Sequence, residues 1–230
     1  MTTARERFFP TPDTSPRQQR KHALADHVRQ LVDDVLFLDA GAAPEEDLAR
    51  AEAALAAAVA AFEPLPEVAG RNLHIAPIDN NHAERSPLTG RSNALAAPLR
   101  LWFEGDLTKG EATYGDVYEG PPGLVHGGYV IAAFDDLLGV AQAASGLAGL
   151  TGTLSVRLHR GTPLNRRIDY VAGVTGVEGR KVFAWGHALL DGELLAEGTG
   201  VFIEPRGGHP ARAMREAAGL PFPNGVAADS

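Results

Sequence analysis

The sequence predicts an α+β fold: an antiparallel sheet around one long helix, with a helical extension at the N-terminus. Three observations carry this reading. From Pro98 onward apolar residues recur at a period of two, as Leu99, Leu101 and Phe103 alternate with Arg100, Trp102 and Glu104. After the second such run comes one apolar helix, opening at Gly127-Gly128 and carrying Asp135 and Asp136. No helical period separates the four strand-like runs that follow, so short turns must join them and the sheet is mainly antiparallel.

The elements follow in order. Residues 1–16, with Pro10, Pro12 and Pro16, read as an irregular arm. Leu24, Val28, Leu31, Val35 and Leu38 then recur at alternating steps of four and three, the stripe of an amphipathic helix. Pro44 suits a first helical position, and Glu45, Glu46 and Asp47 oppose the positive end of a second helix dipole. Leu48, Leu55, Val59 and Phe62 carry its stripe until Pro64 stops it. Two such helices on a short connection predict a hairpin that buries its stripes against itself or the main domain, as a structural cover, a dimer element or a substrate lid. Residues 64–97 are rich in Pro, Asn, Gly and Ser and read as a long loop, with a short extended piece at Leu73–Ile75. His74 and His82 there match no metal spacing.

Gly105-Asp106 turns the first strand into a second over Glu111–Tyr118. The four later strands are expected over Leu150–Arg160, Arg167–Val177, Lys181–Leu190 and Leu194–Glu204, and Asp191-Gly192 is a hairpin signal. The organisation expected is an arm and helical hairpin over 1–69, a linking loop over 70–97, the sheet-and-helix domain over 98–205 and a tail over 206–230.

At 230 residues, with 44% apolar and 22% charged residues, the chain has ordinary globular composition. Its longest apolar runs are interrupted or too short to span a bilayer, and the N-terminus lacks the apolar core of a secretory signal. With Cys 0, disulfides, thiolate metal sites and a thiol nucleophile are excluded, and a cytoplasmic location is expected. A net charge of -8 argues against a nucleic-acid partner.

The chemistry concentrates in Gly120–Gly139, GPPGLVHGGYVIAAFDDLLG. Glycines at a helix start let the backbone turn sharply and leave N–H donors open to a ligand oxygen, where the dipole favours a polarised carbonyl. Asp135 and Asp136 both project from a helix that is apolar nearly all round; burial would raise a carboxylate's pKa and make it a better base. Periodicity does not choose between them. His126 and Asp135 are nine positions apart, which at about 100° and 1.5 Å per residue places them on opposite sides and roughly 13 Å apart. One small reacting group cannot meet both ends, so a second subunit must supply one of them, and a symmetric dimer is expected.

Other signatures are absent: no G-x-S-x-G, H-E-x-x-H, P-loop or G-x-G-x-x-G follows the required context. His159 and His187 lie in strand patterns and read as ordinary strand residues. Arg157, Arg160, Arg166, Arg167, Arg180 and Lys181 crowd one region, either an anion site or solvated strand-end charges.

Val125 to Asp135, V-H-G-G followed by six residues and Asp, together with Thr151 to Leu164, T-G-T-L-S-V-R-L-x-R-x-T-P-L, resembles the hotdog-fold acyl-CoA thioesterases of the PaaI-like branch. The likeness covers roughly Pro98 to Pro205 and excludes the N-terminal helices. It implies a helix wrapped by an antiparallel sheet, and a homodimer or dimer of dimers with sites at the interface. Asp135 would be general base or nucleophile, the Gly127 and Gly128 N–H groups would polarise the thioester carbonyl, Thr151 would hold the attacking water and His126 would orient the helix start or touch the thioester. Arg157, Arg160, Arg180 and Lys181 would meet the phosphates of coenzyme A, which is part of the substrate, so no separate cofactor is implied. Gly161 stands where the family often has Pro. A non-catalytic acyl-CoA-binding protein, and a hydratase or lyase, are the alternatives on the same fold.

Overall fold

The computed structural model describes residues 15–67, 82–143, 145 and 149–206. The extended piece expected at Leu73–Ile75, and His74, lie outside the described residues, as does most of the expected tail. Helices α1 (Pro16–Leu36), α2 (Glu45–Ala60) and α3 (His82–Arg85) precede strands β1 (Arg100–Glu104) and β2 (Leu107–Thr113). Helix α4 (Gly127–Ala143) follows, then β3 (Leu150–Leu158), β4 (Arg167–Glu178), β5 (Lys181–Leu190) and β6 (Glu193–Ile203).

The strands form one six-stranded sheet in the order β1-β2-β4-β5-β6-β3, every neighbouring pair antiparallel. β3 follows the helix in sequence yet lies at the far edge, so α4 crosses the face of the sheet and packs on β2 through β6. Val130, Ala133, Phe134, Leu137, Leu138, Val140 and Ala141 are the buried apolar face of α4. They recur at steps of three and four because those residues share one side of a helix. The sheet curls close enough that a Cβ at Gly198 would lie 2.6 Å from Phe134 Cδ1. Glycine there is a packing requirement, since the ring occupies the space a side chain would fill.

The turns fall where the sequence places them. Asp191 and Gly192 have φ of 51° and 85°, the left-handed pair that a two-residue hairpin needs. The second strand differs. Gly105, at φ 57°, reverses the chain so tightly that pairing resumes at Leu107. The strand ends at Thr113, and Asp116–Tyr118 is a 3-10 turn in which Tyr118 packs edge-on against Tyr114, ring centroids 5.6 Å apart.

The N-terminal helices depart further from expectation. Ser15 caps α1, its Oγ accepting from Gln18 N, with Pro16 opening the helix. Yet α1 and α2 make little contact beyond their junction, and no residue of α2 is buried. No closed hairpin forms. Nor does α1 bury its apolar stripe: it meets the body through Gln18, His22, Ala25 and Arg29, one helical step round from that stripe. The buried Glu84 carboxylate accepts from Gln18 Nε2 (2.7 Å), His22 Nε2 (2.9 Å) and Ser92 Oγ. Arg29 Nη2 donates to the carbonyl of Asn93 at 2.7 Å, and Arg91 clasps Asp26. Buried carboxylate oxygens need donors, so the polar face wins the contact.

Replacing Phe134 by Ala should lower the free energy of unfolding by about 3–5 kcal/mol, as for other large-to-small core changes. Chemical denaturation measures it; a loss below about 1 kcal/mol would mean that the sheet closes over the gap.

Candidate functional site

The loop before α4 is held by its own backbone. Glu119 Oε1 accepts from Gly123 N at 2.7 Å, and Gly120 N donates to Leu124 O at 2.9 Å. Val125 N donates to Thr162 O and His126 N to Tyr118 O, each at 2.8 Å, so the loop is tied on two sides. A Cβ at Gly120 would lie 2.7 Å from His126 Cα, so only glycine admits this approach.

At the start of α4, Gly128 N donates to His126 Nδ1 at 3.1 Å. The imidazole therefore caps the helix, with Nδ1 unprotonated and Nε2 available to donate. This differs from the sequence reading, in which both glycine N–H groups faced the ligand: the Gly128 donor is committed to His126. The Gly127 N–H meets no acceptor among the described residues.

The two acids have different flanks. Thr151 Oγ1 donates to Asp135 Oδ1 at 2.9 Å, and Asp135 is exposed. Ser86 Oγ donates to Asp136 Oδ2 at 2.7 Å, and Thr89 Oγ1 reaches the same oxygen at 3.4 Å. The Ser86 hydroxyl in turn accepts from Leu88 N and Thr89 N, so Asp136 pins residues 86–89 to the helix. The sequence places both acids on a helix that is apolar nearly all round; Asp135 lies exposed on the side of α4 facing the outer edge of β3. Gly127, Ile131 and Asp135, at steps of four, share that side. A Cβ at Gly127 would lie 3.2 Å from Leu158 Cδ1, so β3 touches both ends of the stripe, at Leu158 and at Thr151.

Thr151 reaches Asp135 because of a feature the sequence reading missed. The β3–β6 register slips between Thr151 and Thr153, a bulge at Gly152. Leu154 and Val156 point to the core at even positions. Simple alternation would turn Thr151 away, but one extra residue reverses the parity and brings its hydroxyl to the helix side. A lone glycine in a strand pattern was the available signal.

The basic residues do not form one patch in a single chain. Arg180 and Lys181 lie at the sheet end shared by Leu150, both Lys181 and Leu150 pairing with Ile203. Arg157 and Arg160 lie at the opposite end of β3. Arg160 is paired with Glu193, Arg166 with Asp191 (2.7 Å), and Arg167 with Asp169 (2.9 Å) and Glu111 (3.1 Å). Arg180 Nη1 donates to the Glu204 carbonyl, whereas the side chains of Arg157 and Lys181 have no partner among the described residues. His159 Nε2 lies 3.1 Å from Glu197 Oε1. Among the described residues no cluster of three or more His, Asp or Glu could hold a metal ion, and no helix is long and apolar enough to cross a membrane.

An aromatic wall backs the helix start. Tyr129 packs edge-on against Tyr118 at 4.8 Å, and the buried Tyr114 and Tyr170 hydroxyls are 3.0 Å apart. Burial pushes the Tyr114 phenol up to about 12, and that of Tyr170 well above its usual value.

No family model matches the chain. A crystal structure of a thioesterase superfamily protein is 32% identical, with a TM-score of 0.68 over 84% of this chain and 97% of its own. That share is larger than residues 98–230 alone could supply, so the similarity reaches into the N-terminal region. Two further solved structures each cover 46% of this chain. The phenylacetic acid degradation protein PaaI of Thermus thermophilus, as an N33D mutant, is 17% identical, with a TM-score of 0.44 over 93% of its chain. A hypothetical thioesterase protein with coenzyme A from Streptococcus pneumoniae is 14% identical, with a TM-score of 0.43 over 86% of its chain.

Both tyrosines have folded-state pKa values above those of the unfolded chain, so their contribution is complete below pH ~10 and is lost as pH rises toward 12. Alkaline unfolding should therefore be less steep in the Tyr114→Phe/Tyr170→Phe double variant. Tyr114→Phe alone should cost about 1–3 kcal/mol, because it strands the Tyr170 hydroxyl. Equal stability of both single variants and wild type across this range would contradict the assignment.

Proposed function

The chain belongs to the thioesterase superfamily with the hotdog fold, and from that premise we propose that it hydrolyses an acyl-CoA thioester at a site shared by two copies. One observation carries this reading: β3 holds Thr151 against Asp135 at one end and touches Gly127 through Leu158 at the other. β3 is an edge strand, and its outer row of N–H and C=O groups is a template for pairing. Two edge strands related by a two-fold axis pair antiparallel. Centred between Leu154 and Ser155, such pairing sets Thr151 opposite the partner subunit's Leu158. The partner subunit's Gly127 then comes beside Asp135. It also brings the Arg157 end of one strand to the Lys181 end of the other sheet, reuniting the basic residues as a phosphate site.

In this reading Asp135 is the general base. Thr151 donates one hydrogen bond to Asp135, and its remaining lone pairs orient a water. Asp135 removes a proton as the water oxygen attacks the thioester carbon. The carbonyl oxygen gathers negative charge at the partner subunit's Gly127 N–H, where the helix dipole favours it. The C–S bond then breaks, the thiolate takes up the proton, and a carboxylic acid and free coenzyme A leave. Asp136, already committed to Ser86, has no part in the transfer.

Asp135→Asn should lower thioester hydrolysis at least about a hundredfold while acyl-CoA binding persists, since the amide cannot accept the proton. Thr151→Val should cost about tenfold. Thiol release under saturating acyl-CoA measures both. Undiminished turnover in Asp135→Asn sinks the proposal, and loss of activity only in Asp136→Asn moves the base by one residue. Wild-type protein that binds acyl-CoA yet frees no thiol over hours would mark a binding protein.

A further inference from the structure

We propose, on the reading of Asp135 as the base, that Gln142 is a positioning residue for the hydrolysis: it holds the start of β3 in the bulged register that puts the Thr151 hydroxyl on Asp135. Packing alone does not explain this side chain. Gln142 is 5% exposed in the last turn of α4, where leucine would bury as well with no polar group to satisfy.

A buried carboxamide needs partners for its donors and its acceptor. Gly149 N donates to Gln142 Oε1 at 3.2 Å, and Gln142 Nε2 reaches Gly149 O at 3.5 Å. Both contacts go to one residue, so the amide grips the chain just before β3 as a neighbouring strand would. Gly149 is also pressed on β6, since a Cβ there would lie 2.9 Å from Phe202 Cβ. The strand therefore starts trapped between β6 and α4.

Gln142 follows Asp135 by seven positions, which at about 100° per residue places it within about 20° of the same side of α4. β3 runs back along that flank, with Gly149 at Gln142, Thr151 at Asp135 and Leu158 at Gly127. Thr151 is thus two residues from the clasp, and its orientation depends on the bulge between Thr151 and Thr153. Regular pairing would instead set Gly152 opposite Phe202 and Thr151 opposite Ile203, with the hydroxyl turned away from α4. That slip carries Gly149 about 3.3 Å along β6, out of reach of both amide atoms. Gln142 is satisfied in the register that serves Asp135 and stranded in the other. The bond from Thr151 to Asp135 is exposed, so water can replace it and it does not hold the register by itself.

Gln142→Met keeps the length of the side chain and removes the amide. Its kcat for thiol release should fall about tenfold, as in Thr151→Val, with KM for acyl-CoA within about twofold of wild type. Adding Gln142→Met to Thr151→Val should cost nothing further, because both act through one hydroxyl. A chain lacking Gly152 has no bulge to lose, and ordinary alternation then turns Thr151 inward. In that background Gln142→Met should change kcat by less than about twofold. Equal losses with and without Gly152, or additive losses with Thr151→Val, overturn the proposal, since the amide would then be merely structural. A crystal structure of full-length Gln142→Met reads the geometry apart from activity: Thr151 Oγ1 should have left Asp135, and its retention there also overturns the proposal. If Gln142→Met does not fold, Gln142→Asn, one methylene short of Gly149, takes its place. A displaced Thr151 in a protein whose wild type frees no thiol would uphold the register role and remove the catalytic reading, so the two fail separately.

Discussion

A helix wrapped by one sheet still has a flank that the sheet cannot reach, and the arrangement of the candidate site depends on what meets α4 there. Phe134, Leu137 and Leu138 occupy the sheet side, and glycines at 186, 198 and 200 let β5 and β6 come close; a Cβ at Gly186 would stand 3.0 Å from Leu138. What remains is divided in two. One flank is closed by Ser86 and Thr89 on Asp136. The other carries Gly127, Ile131 and Asp135 beside the free edge of the sheet. Adjacent aspartates thus acquire different partners, Thr151 and Ser86, from about 100° of helical rotation.

Much of the fold was legible because it rests on local rules. Asp191-Gly192, the alternation from Leu99 to Phe103 and the absence of helical periods after Leu150 each report backbone geometry that the residues themselves prefer. The second strand was misplaced because Tyr114 and Tyr118 are good strand formers that tertiary packing turned into a wall behind the helix. Asp135 and Asp136 could not be separated by periodicity, since both sit one step off the apolar face. Their distinction lies in partners distant in sequence, Ser86 and Thr151, which no spacing along the helix reveals.

Thr151 was named through the resemblance, but its contact with Asp135 could not be read from the strand pattern. Its inward orientation depends on one extra residue at Gly152 in a strand whose pattern otherwise points it outward. The basic residues teach a related lesson. They are near one another in sequence, but a strand advances about 3.3 Å per residue, so β3 carries Arg157 to the end opposite Lys181. Proximity along the chain indicated one patch; the sheet makes two halves.

The polar attachment of α1 follows the same logic of division. Apolar contacts are strong but indifferent to rotation, whereas Glu84 accepts from Gln18, His22 and Ser92 in one orientation only. Sinking the apolar stripe into the body would have hidden it and cost the Glu84 carboxylate its Gln18 and His22 donors. Seating the helix on its polar face satisfies a buried charge and leaves the apolar stripe outward. Among the described residues, a single chain therefore leaves two surfaces open, the outer edge of β3 and the apolar side of α1.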